Sequence, residues 1–194
     1  MDQRKKVLAE AIEHHRRVDA ARAALERARF AAMSFERVVD LVTQGLNSKG
    51  EKNDHLMPWL DTEDWKQAFA TYNEDLTTPD KLERLEELAK ARKFRGVYDV
   101  LWENRVKFVS RMAIYDAAVG ISAHYEGRPT RVYVHALPLK AAKVLELPVI
   151  DDHKIRKSAI PKHWGLSDWP AGDIEDILCG FFKRWRELPG AGSR

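Results

Sequence analysis

Residues Arg131–Lys157 read RVYVHALPLKAAKVLELPVIDDHKIRK, and their punctuation sets the expected fold. Arg131–His135 reads as the end of a short helix over 129–135, although Val132, Tyr133 and Val134 would also suit a strand. Ala136-Leu137-Pro138 makes a tight turn, and a second helix opens at Lys140 within 139–146. Leu147-Pro148 breaks that helix, and Asp151 or Asp152 starts a third one over 152–159. About seven helical residues from Lys140 advance roughly 10 Å, and the extended run Leu147–Ile150 returns about 13 Å. The two helix starts are therefore expected within reach of each other, with Lys140 and Asp151 beside one cleft. Helix N-termini placed there would offer free N–H groups and partial positive charge to a phosphate.

Outward from this segment the periodicity is helical. Residues 3–32 read as one long helix with a thin stripe of Leu8, Ile12, Val18, Ala21 and Leu25. Ser34 opens a second helix that ends near Gly45 or Asn47, and Asn47–Asp54 is a polar surface loop. Asp61 or Thr62 caps a short helix through Trp65 and Phe69, and Thr78-Pro79-Asp80 opens another to about Ala91. From Val97 to about His124, two apolar lines, one of them including Phe108, predict a single central buried helix. Gly127-Arg128-Pro129 ends it, and 173–187 forms the last helix, with residues 189–194 frayed. No alternating run is long enough for a sheet. An all-α fold follows, with two packed helical lobes, 1–92 and 93–194.

Among 194 residues, 44% hydrophobic and 32% charged is ordinary for a helix-rich globular chain. No stretch approaches the roughly 18 apolar residues of a membrane span, and the basic N-terminus is followed by no apolar core of a secretory leader. Cys179 is the only cysteine, so an intrachain disulfide is excluded. A cytoplasmic location is the expectation. The net charge of +3 is unevenly spread: residues 1–90 carry 15 Lys/Arg against 18 Asp/Glu, and residues 91–194 carry 18 against 12. That asymmetry fits either a polyanion-binding half or a solvated basic surface.

The run LP.KAA followed by LPVIDDHKIR resembles the signature of helix-hairpin-helix DNA glycosylases, a hairpin LPGVGxKxA followed by V-D-x-H-x-x-R. Looser similarity over 91–188 is to the divergent bacterial 8-oxoguanine-glycosylase-fold proteins, some of which look like anti-phage enzymes that remove hypermodified, including glucosylated, cytosines. The resemblance implies a helix-hairpin-helix fold and an enzyme that binds duplex DNA, flips out one modified base and cleaves its N-glycosidic bond. It places Asp151 on the family's catalytic aspartate and Lys140 on its nucleophilic lysine. In the archaeal branch that lysine lies on a helix resembling Asn104–Phe108, which makes Lys107 the alternative.

The chemistry fits those residue types. Cleaving the bond builds positive charge on the sugar, which a fixed carboxylate stabilises, while a desolvated lysine could attack as an amine. Without such a lysine, water attacks and an abasic site remains, which is the expected monofunctional outcome. His135, Lys140, Lys143, His153, Arg156 and Lys157 are the expected DNA contacts, and Trp102, Trp164, Trp169 and Phe182 the expected base-pocket residues. No cofactor is implied. Nor is a metal: there is no Cys-x-x-Cys or His-x-x-x-His, and His14 and His15 face different ways. A monomer is expected. Asp151 and Asp152 also suit a helix N-cap and first-turn acid, and the tryptophans also suit a core. A repair glycosylase with lyase activity, or a non-catalytic DNA-binding module, remains open beside the main reading.

Overall fold

The computed structural model describes residues 2–53, 62–151 and 153–189. The chain is mostly helical and groups into two compact units, one of residues 1–23 with 129–194, the other of residues 24–128. This division differs from the 1–92 and 93–194 lobes expected from sequence. Packing, not chain order, sets it: the first helix packs against the last, and the central helices pack among themselves.

In the first unit, α1 (Gln3–His14) starts where the Asp2 carboxylate accepts the Arg4 N–H at 3.0 Å. A π-helical turn, His15–Asp19, joins α1 to α2 (Ala20–Ala31), which runs on into the second unit. The expected long helix is present, but the π turn resets its faces. His15 becomes buried, whereas Val18 and Leu25, expected on the apolar stripe, are exposed.

Three short strands, β1 (Val132–Tyr133), β2 (Val149–Ile150) and β3 (Lys154–Ile155), form an antiparallel sheet in the order β1-β3-β2. Between β1 and β2 lies α8 (Ala136–Val144), and α9 (Ala171–Trp185) closes the unit. On α9, Ile174, Ile177, Leu178 and Phe181 recur at helical spacing and are fully buried. They share one core with Val7, Leu8 and Ala11 of α1, Ala141, Ala142 and Leu145 of α8, and Val132 and Ile155 of the sheet.

The second unit holds α3 (Phe35–Thr43), α4 (Glu63–Leu76), α5 (Pro79–Lys90), α6 (Phe94–Glu103) and α7 (Arg111–Ala123). Ser34 caps α3 and Ser110 caps α7, each accepting a backbone N–H three residues on. Pro79 takes the first turn of α5, as expected. Small residues on α7 let α3 come close: a Cβ on Gly120 would lie 2.6 Å from Val42 Cγ1. Tyr72 on α4 donates its hydroxyl to the Leu101 carbonyl at 2.9 Å.

Three sequence expectations give way. The helix over 97–124 is two helices, because Asn104 turns its side chain onto the Val100 carbonyl at 2.7 Å and Phe108 adopts φ +76° before Ser110 caps α7. The helix over 129–135 is replaced by β1, so the strand alternative for Val132 and Tyr133 is the one realised. The helix over 152–159 is a β-hairpin followed by a single 3-10 turn, Lys157–Ala159. Its cause is long-range: Lys154 and Ile155 pair with Tyr133 and Val132 on one side and with Ile150 and Val149 on the other. Asp61, Asp152 and residues 190–194 lie outside the described residues. No helix among the described residues is long and apolar enough to cross a membrane.

Candidate nucleic-acid interface

Asp151 sits in the turn between β2 and β3, exposed, with φ +51°. Aspartate tolerates this left-handed conformation better than most residues. The turn is closed by His153, whose N–H donates to the Ile150 carbonyl at 3.3 Å and whose ring Nδ1 lies against the Asp151 carbonyl oxygen. No helix begins here, so Asp151 is not an N-cap, and only one of the two expected helix N-termini exists.

The Asp151 turn is instead tied to the start of α8 through the strands. The Val134 N–H donates to the His153 carbonyl at 2.7 Å, which ties the Asp151 turn to the residue just before His135, the N-cap of α8. Lys140 follows four residues into that helix, about 6 Å along its axis. The loop bearing the carboxylate and the beginning of the helix bearing Lys140 thus meet at one end of the small sheet. Lys140, Lys143 and Arg156 are exposed and Lys157 is half-buried. The unit as a whole carries 17 Lys/Arg against 12 Asp/Glu. Redrawing the boundary by packing therefore keeps the positive excess on the half that contains Asp151.

Most of the other expected site residues take up different roles. His135 is nearly buried, its Nε2 3.6 Å from the Glu175 carboxylate of α9, so it faces the interior and not a phosphate. Trp164 is a core residue with the Arg4 guanidinium 5.6 Å from its ring. Trp169 meets the His15 ring edge-on at 5.5 Å and lies under Arg16. Phe182 is half-buried beneath the Lys140 ammonium at 5.7 Å. Trp102 and Lys107 belong to the other unit, Lys107 on the turn between α6 and α7 and not on a helix. The four expected base-pocket aromatics therefore form no single group within either unit.

Sequence reasoning missed two buried charged residues in the first unit. Lys154 of β3 is 7% exposed, with its ammonium 5.5 Å from the Tyr133 ring, and Glu175 of α9 is 6% exposed, beside His135. The register that puts Lys154 opposite both Tyr133 and Ile150 depends on pairing across some twenty residues, and nothing in the local pattern signals it. Cys179 offers no nucleophile, since burial pushes its thiol up to about 11. Among the described residues no group of three His, Cys, Asp or Glu could hold a metal ion.

His15 gives the first unit a pH dependence. Burial alone would push this imidazole below its ordinary value, but Asp173, Asp176 and Asp19 face it, and the net shift is upward. Asp173 stands 3.9 Å and Asp19 3.8 Å from the ring nitrogens, charge contacts longer than hydrogen bonds. A raised histidine stabilises the fold fully below its unfolded value of 6.5, and that contribution disappears as pH climbs through the raised value. The urea midpoint of the wild type, measured against His15→Gln, should fall between pH 6 and pH 8.5. A constant difference across that range would remove the charge contribution.

No family model, no curated protein and no solved structure matches this chain.

Proposed function

We propose that the unit of residues 1–23 and 129–194 binds duplex DNA and removes a modified base, with Asp151 as the essential carboxylate. The observation that supports this reading is the hydrogen bond from Val134 to His153, which ties the turn carrying the exposed Asp151 to the beginning of α8, the helix that carries Lys140 and Lys143. Lys140, Lys143 and Arg156 contact phosphates and fix the register. The extruded nucleotide meets Asp151 at its sugar, where the carboxylate stabilises the positive charge that grows as the base departs and orients the attacking water. Lys140 is exposed and lacks the desolvation that activates an amine, so water is the nucleophile and an abasic site is the product. The resemblance to helix-hairpin-helix glycosylases supports the reading through the residues LP.KAA and VIDDHKIR and not through local structure, since a β-hairpin stands where that family starts a helix.

Incubation with DNAs carrying 8-oxoguanine, alkylated purines or glucosylated cytosines, phage genomic DNA included, followed by alkaline cleavage, tests it. Strand breaks on at least one substrate are expected, with no borohydride-trapped adduct. A second reading, a DNA-binding unit without catalysis, is favoured by the conformation of Asp151, because turn geometry alone accounts for an aspartate at φ +51°. Salt-sensitive duplex binding with no abasic sites on any substrate would establish it.

A further inference from the structure

The unit of residues 24–128 is slightly acidic, with 16 Lys/Arg against 18 Asp/Glu, and many of its cations are held in ion pairs: Arg37 with Asp40, Lys81 with Asp75, Arg95 with Asp99. The connection between α6 and α7 is different. Within seven positions it carries Arg105, Lys107 and Arg111, all exposed, and none of them makes an ion pair among the described residues. Glu103 is the nearest acid in sequence. The Arg105 guanidinium lies 4.0 Å from the centre of the Trp102 ring and that of Arg111 lies 5.1 Å from the same ring. Cation–π attraction holds both of them there, helped for Arg105 by the hydrogen bond it donates to the Trp102 carbonyl at 2.9 Å, but two like charges gathered at one indole repel each other until an anion arrives.

Phe108 stands in the middle of this group. It is 39% exposed, with the Lys107 ammonium 4.9 Å from its ring and the Trp65 ring 6.1 Å away. Its φ of +76° is a conformation that a bulky side chain adopts at a cost. Partial burial against Trp65 offsets only part of that cost, since 39% of the residue stays exposed. What the conformation does achieve is to leave an aromatic ring partly exposed beside Lys107, on the connection that also carries Arg105 and Arg111.

We propose that the α6–α7 connection is a binding surface for single-stranded nucleic acid, with an unpaired base stacking on Phe108 and Arg105, Lys107 and Arg111 holding the adjoining phosphates. Cations interleaved with aromatic faces suit a strand whose bases are free to leave one another. In a duplex the bases are already stacked and offer no face, and an acidic peptide would use the three cations but leave Phe108 idle. The surface shares no residue with the Asp151 region, and its readout is equilibrium binding, so it stands or falls independently of base removal.

Fluorescence anisotropy of a labelled oligothymidylate, with the full chain, tests the proposal. Phe108→Ala and Phe108→Gly should each weaken binding about 5- to 100-fold, while Phe108→Tyr stays within about twofold. Replacing Arg105, Lys107 and Arg111 by Gln together should flatten the salt dependence by about two log units per log unit of salt. Phe108→Gly separates binding from folding. Glycine accepts a positive φ freely, which offsets the lost contact with Trp65, so its melting temperature should stay close to that of the wild type while binding weakens. Wild-type binding by the glycine variant would overturn the proposal. So would a fall in its melting temperature together with binding, which would make the ring structural, or displacement of the oligonucleotide by polyglutamate as readily as by polythymidylate.

Discussion

Asp151→Asn is expected to lower base release by about two to three orders of magnitude, the scale seen when one electrostatic stabiliser of a transition state is removed. The substitution suits the site. Asparagine adopts the left-handed region as readily as aspartate, so the turn at φ +51° and the Val134–His153 hydrogen bond should persist. Only the charge is removed. Duplex affinity should therefore hold or rise slightly, since a negative charge beside phosphates opposes binding. Single-turnover assays on the substrate found by screening, with anisotropy for affinity, separate the two effects. Unchanged base release would assign Asp151 to turn geometry alone, and loss of affinity together with activity would mean that the hairpin had moved.

Phe181→Ala should have the largest effect on folding. The ring is 0% exposed and stacks on Trp185 at 5.7 Å within the core that α1, α8, α9 and the sheet share. Truncating such a residue costs about 3–5 kcal/mol through lost burial and a residual cavity. Domains are stable by only about 5–15 kcal/mol. Hydrogen exchange followed by mass spectrometry is the informative readout. Amides of α1, α8 and α9 should lose protection by two to three orders of magnitude (about 1.4 kcal/mol for each tenfold change), while those of α3 to α7 change far less. Equal loss throughout 24–128 would mean that the two units unfold as one.

What could be read from the sequence was whatever short-range chemistry decides. Ser34 and Pro79 begin their helices as expected, and Ile174, Ile177, Leu178 and Phe181 recur at helical spacing along α9. Illegible were the features set by distant partners. Asp151-Asp152-His153 carries every local sign of a helix start, yet pairing of Lys154 and Ile155 with β1 draws it into a hairpin. The apolar lines through Val97–Val119 concealed a break that Asn104 and Ser110 could have announced, as a C-terminal and an N-terminal cap six residues apart. Phe108, counted among the core residues on that pattern, is exposed. For the site, the residue types around Asp151 were legible, but the strand pairing that ties its turn to the beginning of α8 was not. The dispersal of Trp102, Trp164 and Trp169 depends on which helices pack together, which no single stretch encodes.

The discontinuous unit has a consequence for biosynthesis. Its residues 1–23 and 129–194 are separated by about a hundred residues of the other unit. At a translation rate of roughly 5–20 residues per second, that interval lasts on the order of ten seconds. Throughout it the nascent chain carries Val7, Leu8 and Ala11 without the α8 and α9 surfaces that later cover them. A chaperone that shields emerging apolar segments therefore has a defined client in α1, and a pause placed shortly after residue 128 would lengthen that exposure.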